Sequence, residues 1–152
     1  MKYTFNTLEE VKQAIEQWFI TLGFDNKERS EKQYLKIIAE VGEMADALCK
    51  EDHENFKSEV GDVFVTIVGY CLQTGKDMEL PKSISSSIRV SDIAYHILDC
   101  DFYYAIKYLN SLCIEKRTTL LECATIAYNK IQCRLERGEL SVKNGTVIKS
   151  GN

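Results

Sequence analysis

A short acidic motif occurs twice in this chain, and the two copies start nineteen residues apart. Residues 40–43 are Glu-Val-Gly-Glu, and residues 59–62 are Glu-Val-Gly-Asp. Both copies lie in stretches whose apolar residues have helical spacing, so each copy places two carboxylates on one side of a helix. Four acids on two neighbouring helices repel one another unless a cation lies between them. The repeat therefore predicts a divalent metal site that handles a phosphorylated substrate.

The spacing of apolar residues predicts an all-α fold, a helical bundle of about five helices in a single domain over residues 1–152. The predicted helices cover residues 8–22, 31–50, 54–73, 91–112 and 119–137. Capping-box spacing marks three helix starts, at Thr7 with Glu10, Ser30 with Gln33 and Thr119 with Glu122. A loop is predicted over about 76–90, which contains Pro81 and a serine run at 85–87. An irregular tail is predicted over about 139–152, where a turn signal at Asn144-Gly145 could join two short extended pieces.

The second and third helices are predicted to form the central antiparallel pair of the bundle, joined by a turn at residues 51–53. The predicted apolar stripes are Tyr34, Ile38, Val41, Ala45 and Leu48 on the second helix, and Phe56, Val60, Val63, Ile67 and Cys71 on the third. We expect the acids to lie outside both stripes. Both acid pairs lie roughly 13 Å from the turn, so the four carboxylates should form one cluster. Gly42 and Gly61 would let the two backbones approach or leave room for a ligand.

Composition excludes several other classes of protein. Apolar residues make up 45% of the chain, which argues against disorder. A net charge of −4 argues against a surface built for nucleic acid, and no apolar run approaches the length of a membrane span. None of the six cysteines forms a C-x-x-C pair, so we expect free, largely buried thiols. Together with the absence of a signal-like N-terminus, this predicts a cytoplasmic protein.

The residue types in the motif define the kind of metal. Sites with oxygen ligands alone select hard cations such as Mg²⁺, with Mn²⁺ as a second possibility. No histidine lies near either motif, because His53 falls in the predicted turn and His96 in the fourth helix. This argues against a di-iron carboxylate bundle and against a zinc hydrolase. The alternative to a metal site is that the acids decorate solvated helix faces.

The two motifs resemble the signature of the MazG-type nucleoside triphosphate pyrophosphohydrolases, in the all-α NTP pyrophosphatase superfamily. The similarity covers residues 35–68 and includes Gly42 and Met44. A second similar segment is 127–131 with Arg134, which matches an Asn/Lys-apolar-Arg pattern on a later helix of the family. Family members usually begin the first motif with two acids, and Ala39 stands in place of the first. Residues 145–149 resemble the tail of phage-type relatives.

The resemblance implies Mg²⁺-dependent hydrolysis of an NTP or dNTP between the α and β phosphates, giving NMP and pyrophosphate. This would make the chain a hydrolase acting on acid anhydrides. It assigns metal binding and catalysis to Glu40, Glu43, Glu59 and Asp62. Either Glu40 or Glu43 could instead orient or deprotonate the attacking water. The alternatives are a base-selective dUTPase or dCTPase type of hydrolase and a catalytically silent nucleotide-binding module.

Four further residues are candidates for substrate binding, namely Lys36, Asn129, Lys130 and Arg134. Lys130 and Arg134 would contact phosphates, although basic residues late in a helix also favour its dipole. Lys36 is either a phosphate contact or an i,i+4 ion pair with Glu40, and the ion pair is favoured. Relatives form dimers or tetramers, so we expect a homodimer or homotetramer. We also expect Glu59→Gln or Asp62→Asn to abolish Mg²⁺-dependent hydrolysis while leaving the fold intact. In the absence of metal, stability should fall little or even rise, because either change relieves like-charge repulsion.

Overall fold

The computed structural model describes residues 2–85, 88–143 and 146–149, with the backbone alone for 141–143 and 146–149. The α-helices are α1 (Leu8–Thr21), α2 (Ser30–Cys49), α3 (His53–Thr74), α4 (Val90–Leu98), α5 (Phe102–Glu115) and α6 (Leu120–Glu136). A 3-10 turn at Lys27–Arg29 precedes α2. Two short strands follow α6, namely β1 (Leu140–Lys143) and β2 (Thr146–Lys149), and they pair antiparallel. The all-α prediction is confirmed.

Local capping signals fix the start of α1 and of α6. The hydroxyl of Thr7 accepts a hydrogen bond from the backbone N–H of Glu10, and Thr119 accepts one in the same way from Glu122. Ser30, by contrast, is not a cap. The chain enters α2 through the 3-10 turn, so Ser30 already lies in the helix and Arg29 occupies the capping position without a side-chain bond.

The predicted fourth helix is two helices in the structure. α4 ends at Leu98 and α5 begins at Phe102. Cys100 has a positive φ of 56° between them, a conformation that interrupts a right-handed helix. Asp101 then caps α5 by accepting a hydrogen bond from the backbone N–H of Tyr104. The prediction of one continuous helix over 91–112 was wrong at this point.

α3 is the central helix of the bundle. It packs against α2 on one side and α6 on another, and α1 also contacts it. All five residues of its predicted stripe are buried, and burial extends around the helix through residues 63–69. Buried apolar side chains from all six helices join in one contiguous core. The second acid motif, residues 59–62, therefore lies on a well-packed helix.

The buried face of α2 is rotated from the predicted stripe. Ile38 is 40% exposed, whereas Ile37 and Met44 are fully buried. The rotation brings Glu40 into the buried face, where the residue is 5% exposed. The expectation that both acids of this pair lie outside the core stripe was therefore wrong for Glu40. A carboxylate enters the interior here because the helix turns it toward the opposite acids on α3.

The two motif glycines have different surroundings. A Cβ on Gly61 would overlap the carbonyl oxygen of Cys123 and lie 2.7 Å from the Cβ of Ala127, so this glycine allows α3 to approach α6. A Cβ on Gly42 would meet no atom within 4 Å. Neither glycine therefore lets α2 and α3 approach each other, although Gly42 leaves open space beside α2.

Three other sequence expectations concern the loop and turn signals, the cysteines and the absence of a membrane span. The turn signal at Asn144-Gly145 and Ser86–87 of the predicted loop lie outside the described residues. The six cysteines are free, with three buried, two half-buried and Cys49 exposed. No helix of the described residues is both long and apolar enough to pass through a membrane.

Candidate active site

A cavity of about 710 Å³ opens beside the central helix pair. Side chains from α1, α2, α3 and α6 line it, together with residues of the α1–α2 connection and the start of β1. Its polar side carries both acid motifs and several basic residues. The described residues therefore contain one cavity that collects almost all of the predicted site.

Three of the four motif carboxylates come together on this polar side. Oxygen atoms of Glu40, Glu43 and Glu59 all lie within 4.8 Å of one another. Two come from adjacent turns of α2 and the third from α3, because the antiparallel helices place the motifs level with each other. The sequence thus predicted the convergence of these three groups correctly.

The fourth carboxylate has a different partner. Asp62 forms a close ion pair with Lys130 of α6, and the same ammonium group donates to the hydroxyl of Ser58 at 3.1 Å. Lys36 forms the i,i+4 pair that the sequence favoured, with its Nζ 2.6 Å from Glu40. Each lysine therefore neutralises one carboxylate, and Glu43 and Glu59 keep no such partner among the described residues.

Burial and mutual repulsion change the acid strength of the cluster. Burial raises the pKa of Glu59 to about 7; the charges of Asp62, Glu43 and Glu40 act in the same direction, and Lys130 opposes them. Burial also raises the pKa of Glu40, although the hydrogen bond from Lys36 opposes this rise. Without a cation, the Glu59 carboxyl group is therefore partly protonated near neutral pH.

The donor set fits a hard divalent cation. One oxygen of Glu40 and one of Glu59 are buried without a hydrogen-bond partner among the described residues. A buried carboxylate oxygen left without a partner is unfavourable, and a cation between the acids would satisfy both oxygens. The lining offers carboxylate, hydroxyl and amide oxygens but no histidine or cysteine, which agrees with Mg²⁺ or Mn²⁺ rather than zinc.

Three of the four predicted substrate-binding residues line this cavity. They are Lys36, Lys130 and Arg134. Asn129 does not line it. Its amide nitrogen donates to the backbone carbonyls of Tyr3 and Thr125, and its oxygen accepts from the N–H of Tyr3. In this structure Asn129 attaches the N-terminal segment to α6 rather than facing the acids.

Several lining residues were not predicted from the sequence to belong to the site. They are Phe19, Phe24, Arg29, Gln33 and Thr66. Arg29 lies over the ring of Phe24 at 4.1 Å, and Gln33 donates to the carbonyl oxygen of Thr66 at 3.0 Å. The first contact lies within the α1–α2 connection, and the second joins α2 to α3. No periodic signal marks them, because they depend on how α1 folds back over the helix pair.

Comparison with known families identifies the segment that carries both acid motifs. Residues 28–89 match the model of the MazG nucleotide pyrophosphohydrolase domain. The matched segment holds α2 and α3 complete, and the resemblance stated from the motifs is thereby confirmed. No match was found among the curated proteins or among the solved structures. A MazG domain supports nucleotide pyrophosphohydrolase activity in general.

Proposed function

We propose that this protein hydrolyses nucleoside triphosphates, NTP or dNTP, between the α and β phosphates in a Mg²⁺-dependent reaction that gives NMP and pyrophosphate. The observation that carries the proposal is the convergence of Glu40, Glu43 and Glu59 within 4.8 Å beside four basic side chains in one cavity. The family match gives the reaction class. Mn²⁺ is the second candidate cation.

The charges of the cavity explain why a cation is needed. Among the described residues, four carboxylates and four basic groups line it. The basic groups are thus matched in number by acids, and a triphosphate would add negative charge to a site that is already balanced. A divalent ion held by Glu40, Glu43 and Glu59 would supply the missing positive charge and lower the pKa of a water molecule bound to it.

We infer that Lys36, Lys130 and Arg134 bind the phosphates. Lys130 and Arg134 lie one turn apart on α6 and both line the cavity. If Lys130 bound a phosphate oxygen instead of Asp62, the Asp62 carboxylate would be free to hold the cation together with the other three acids. One of Glu40 and Glu43 would orient or deprotonate the attacking water. Glu43 is the more exposed of the two.

A product assay tests the proposal directly. The purified protein is incubated with a panel of NTPs and dNTPs, with Mg²⁺ and with excess EDTA, and products are separated by ion-exchange chromatography. We expect monophosphate and pyrophosphate only when the metal is present. Glu59→Gln is the matched variant, because it keeps the shape of the side chain and removes its charge, and it should be inactive.

The other outcomes separate the alternatives. Hydrolysis of dUTP alone or of dCTP alone among the panel would identify a base-selective hydrolase. Diphosphate and phosphate as products would contradict α–β cleavage. Metal-dependent nucleotide binding without any product would identify a silent binding module.

We further propose that the chain forms a homodimer or a homotetramer. Large apolar side chains are exposed on the outer face of α2 and on α4, namely Leu35, Ile38, Tyr95 and Leu98. Light scattering at micromolar concentration should give at least twice the chain mass of 17.4 kDa. A monomeric mass would contradict this proposal without affecting the one on hydrolysis.

A further inference from the structure

Two of the four basic side chains in the cavity have no acidic partner. The two lysines are each paired with one motif acid. Arg29 and Arg134 line the same cavity, and neither guanidinium forms an ion pair with a carboxylate of the described residues. The pKa of Arg29 is lowered by burial alone, which agrees with the absence of a nearby carboxylate. Both arginines therefore keep their charge available for an anion that enters the cavity.

The direction of α6 places Arg134 beyond the acids. Lys57 of α3 contacts Glu122 of α6, whereas Asp62, later on α3, contacts Lys130, later on α6. The two helices therefore run in the same direction. Arg134 follows Lys130 by four residues, so it lies about one turn, or 6 Å, farther along the axis from the motif acids.

Arg29 lies toward the same end of the cavity. Gln33 of α2 donates to the carbonyl oxygen of Thr66 of α3, which is one turn beyond Asp62. Since α2 runs antiparallel to α3 and Arg29 precedes Gln33 by four residues, Arg29 lies farther still from the acids. We call this part of the cavity, lined by Arg29 and Arg134, the arginine end.

An aromatic ring holds the Arg29 side chain in place. The guanidinium carbon lies 4.1 Å from the centroid of the Phe24 ring. Phe24 is buried, and its carbonyl oxygen accepts a hydrogen bond of 2.8 Å from the side chain of Gln73 on α3. A guanidinium that is held on a ring and has no anion beside it suits a phosphate, whose oxygens match the planar fork of its N–H groups.

Building on the proposed function, we propose that Arg29 binds the terminal phosphate of a nucleoside triphosphate and makes the site select triphosphates over diphosphates. The cation between the motif acids would lie at the α and β phosphates, and the γ phosphate would extend toward the arginine end. This selectivity concerns the length of the phosphate chain and not the base.

Pairs of ligands that differ only in the terminal phosphate test the proposal. They are the non-hydrolysable α,β-imido analogues of the NTPs and dNTPs of the product assay, together with the matching diphosphates. Binding is measured by calorimetry with saturating Mg²⁺. We expect Arg29→Gln to weaken binding of the triphosphate analogues tenfold or more, roughly the loss of one hydrogen bond to a charged group. Binding of the diphosphate analogues should stay unchanged.

Lys27→Gln is the matched control, because Lys27 lies in the same 3-10 turn, is exposed and does not line the cavity. It removes the same charge and should change neither set of dissociation constants. Arg29→Lys keeps the charge but loses the planar fork, so it should restore part of the selectivity. The wild-type protein should bind each triphosphate analogue more tightly than its diphosphate, a comparison that keeps the test valid if no variant at residue 29 folds.

Equal weakening of both kinds of analogue by Arg29→Gln, equal binding of both by the wild-type protein, or no binding of any analogue would overturn the inference. The hydrolysis proposal can fail separately. Arg29-dependent binding of triphosphates without any product would refute turnover and keep the phosphate site. Metal-dependent turnover with unchanged triphosphate binding in Arg29→Gln would refute the role of Arg29 and keep the enzyme.

Discussion

At the scale of single residues, the four motif acids are not equivalent. Glu40 is buried and paired with Lys36, Asp62 is paired with Lys130, and Glu43 and Glu59 form no ion pair among the described residues. The same residue type thus has a different stability effect at each position. Two substitutions that look alike in the sequence should therefore behave differently.

Glu59→Gln should make the metal-free protein less sensitive to pH. The folded-state pKa of Glu59 is raised from 4.5 to about 7, so the folded state binds more protons than the unfolded state between these values. The contribution of Glu59 to the free energy of unfolding is fully present below pH 4.5, and it is lost as the pH rises through about 7. At pH 8 in EDTA, the variant should exceed wild type by about 1–2 kcal/mol after screening by solvent.

Urea denaturation from pH 4.5 to 8 measures this difference. The two proteins should have similar free energies of unfolding at the acidic end and diverge as the pH rises. Glu79→Gln, at an exposed position after α3, is the control and should follow wild type. A constant difference across the range would mean that Glu59 does not titrate as described.

Asp62→Asn should destabilise the metal-free protein, contrary to the expectation from repulsion alone. The substitution leaves the half-buried Lys130 ammonium without its anion, and removing one member of such a pair is unfavourable. We expect a loss of about 1–2 kcal/mol at pH 8, reduced because the pair is partly exposed. In a double-mutant cycle with Lys130→Met, most of the loss should disappear. Additive losses would show that the pair contributes little.

At the scale of elements, the glycines of the two motifs have different packing environments. Gly61 lies where α3 approaches the backbone of α6, and Gly42 lies on an open face of α2. The same Gly→Ala substitution in the two similar motifs therefore tests how each helix packs.

Gly61→Ala should destabilise the protein by about 2–3 kcal/mol, because its Cβ overlaps the Cys123 carbonyl and α3 must move from α6. Gly42→Ala should stabilise it by up to about 1 kcal/mol, because alanine is the better helix former and nothing obstructs its Cβ. Thermal melts of both variants measure the contrast. Equal shifts in the two variants would contradict the packing described for Gly61.

Signals within a single helix predicted the start of α1 and of α6 better than they predicted the junctions between consecutive helices. Thr7 and Thr119 act within one turn of their own helix, so spacing along the chain was sufficient to find them. Ser30 has the same signal but lies after a 3-10 turn that the pattern does not encode. The break at Cys100 depends on one positive φ in a segment whose apolar spacing continues.

The candidate site was predictable where it depends on the α2–α3 hairpin alone. Glu40, Glu43 and Glu59 converge because a short turn sets the register of two helices. The Asp62–Lys130 pair joins residues 68 positions apart, and only the packing of α6 on α3 brings them together. The burial of Glu40 also follows from tertiary contacts, since the apolar pattern of α2 allowed a rotation of its buried face.

At the scale of the whole molecule, a cation bound by the acids would make the metal-bound protein more stable than the free protein. A cation that binds only the folded state stabilises it by mass action, by about 2.7 kcal/mol at a concentration 100 times its dissociation constant. For a chain of this length, each kcal/mol raises the melting temperature by roughly 2–4 °C.

Mg²⁺ should therefore raise the melting temperature by several degrees, and EDTA should reverse the rise. Scanning calorimetry with and without MgCl₂ measures the effect without any substrate. Glu59→Gln should show a much smaller rise, because one ligand of the cluster is lost. An equal rise in the variant would place the stabilising ion elsewhere.

The unpartnered oxygens of Glu40 and Glu59 also have a consequence for evolution. In a lineage released from selection for turnover, replacing the acid at residue 59 by an uncharged residue would stabilise the protein. The same replacement at residue 62 would destabilise it, because Lys130 would lose its ion-pair partner. We therefore expect silent descendants of such a chain to lose the acid at 59 first and to keep the pair between α3 and α6. Among relatives, loss of the acid at 59 with the pair at 62 and 130 kept would then mark the lineages in which catalysis has been lost.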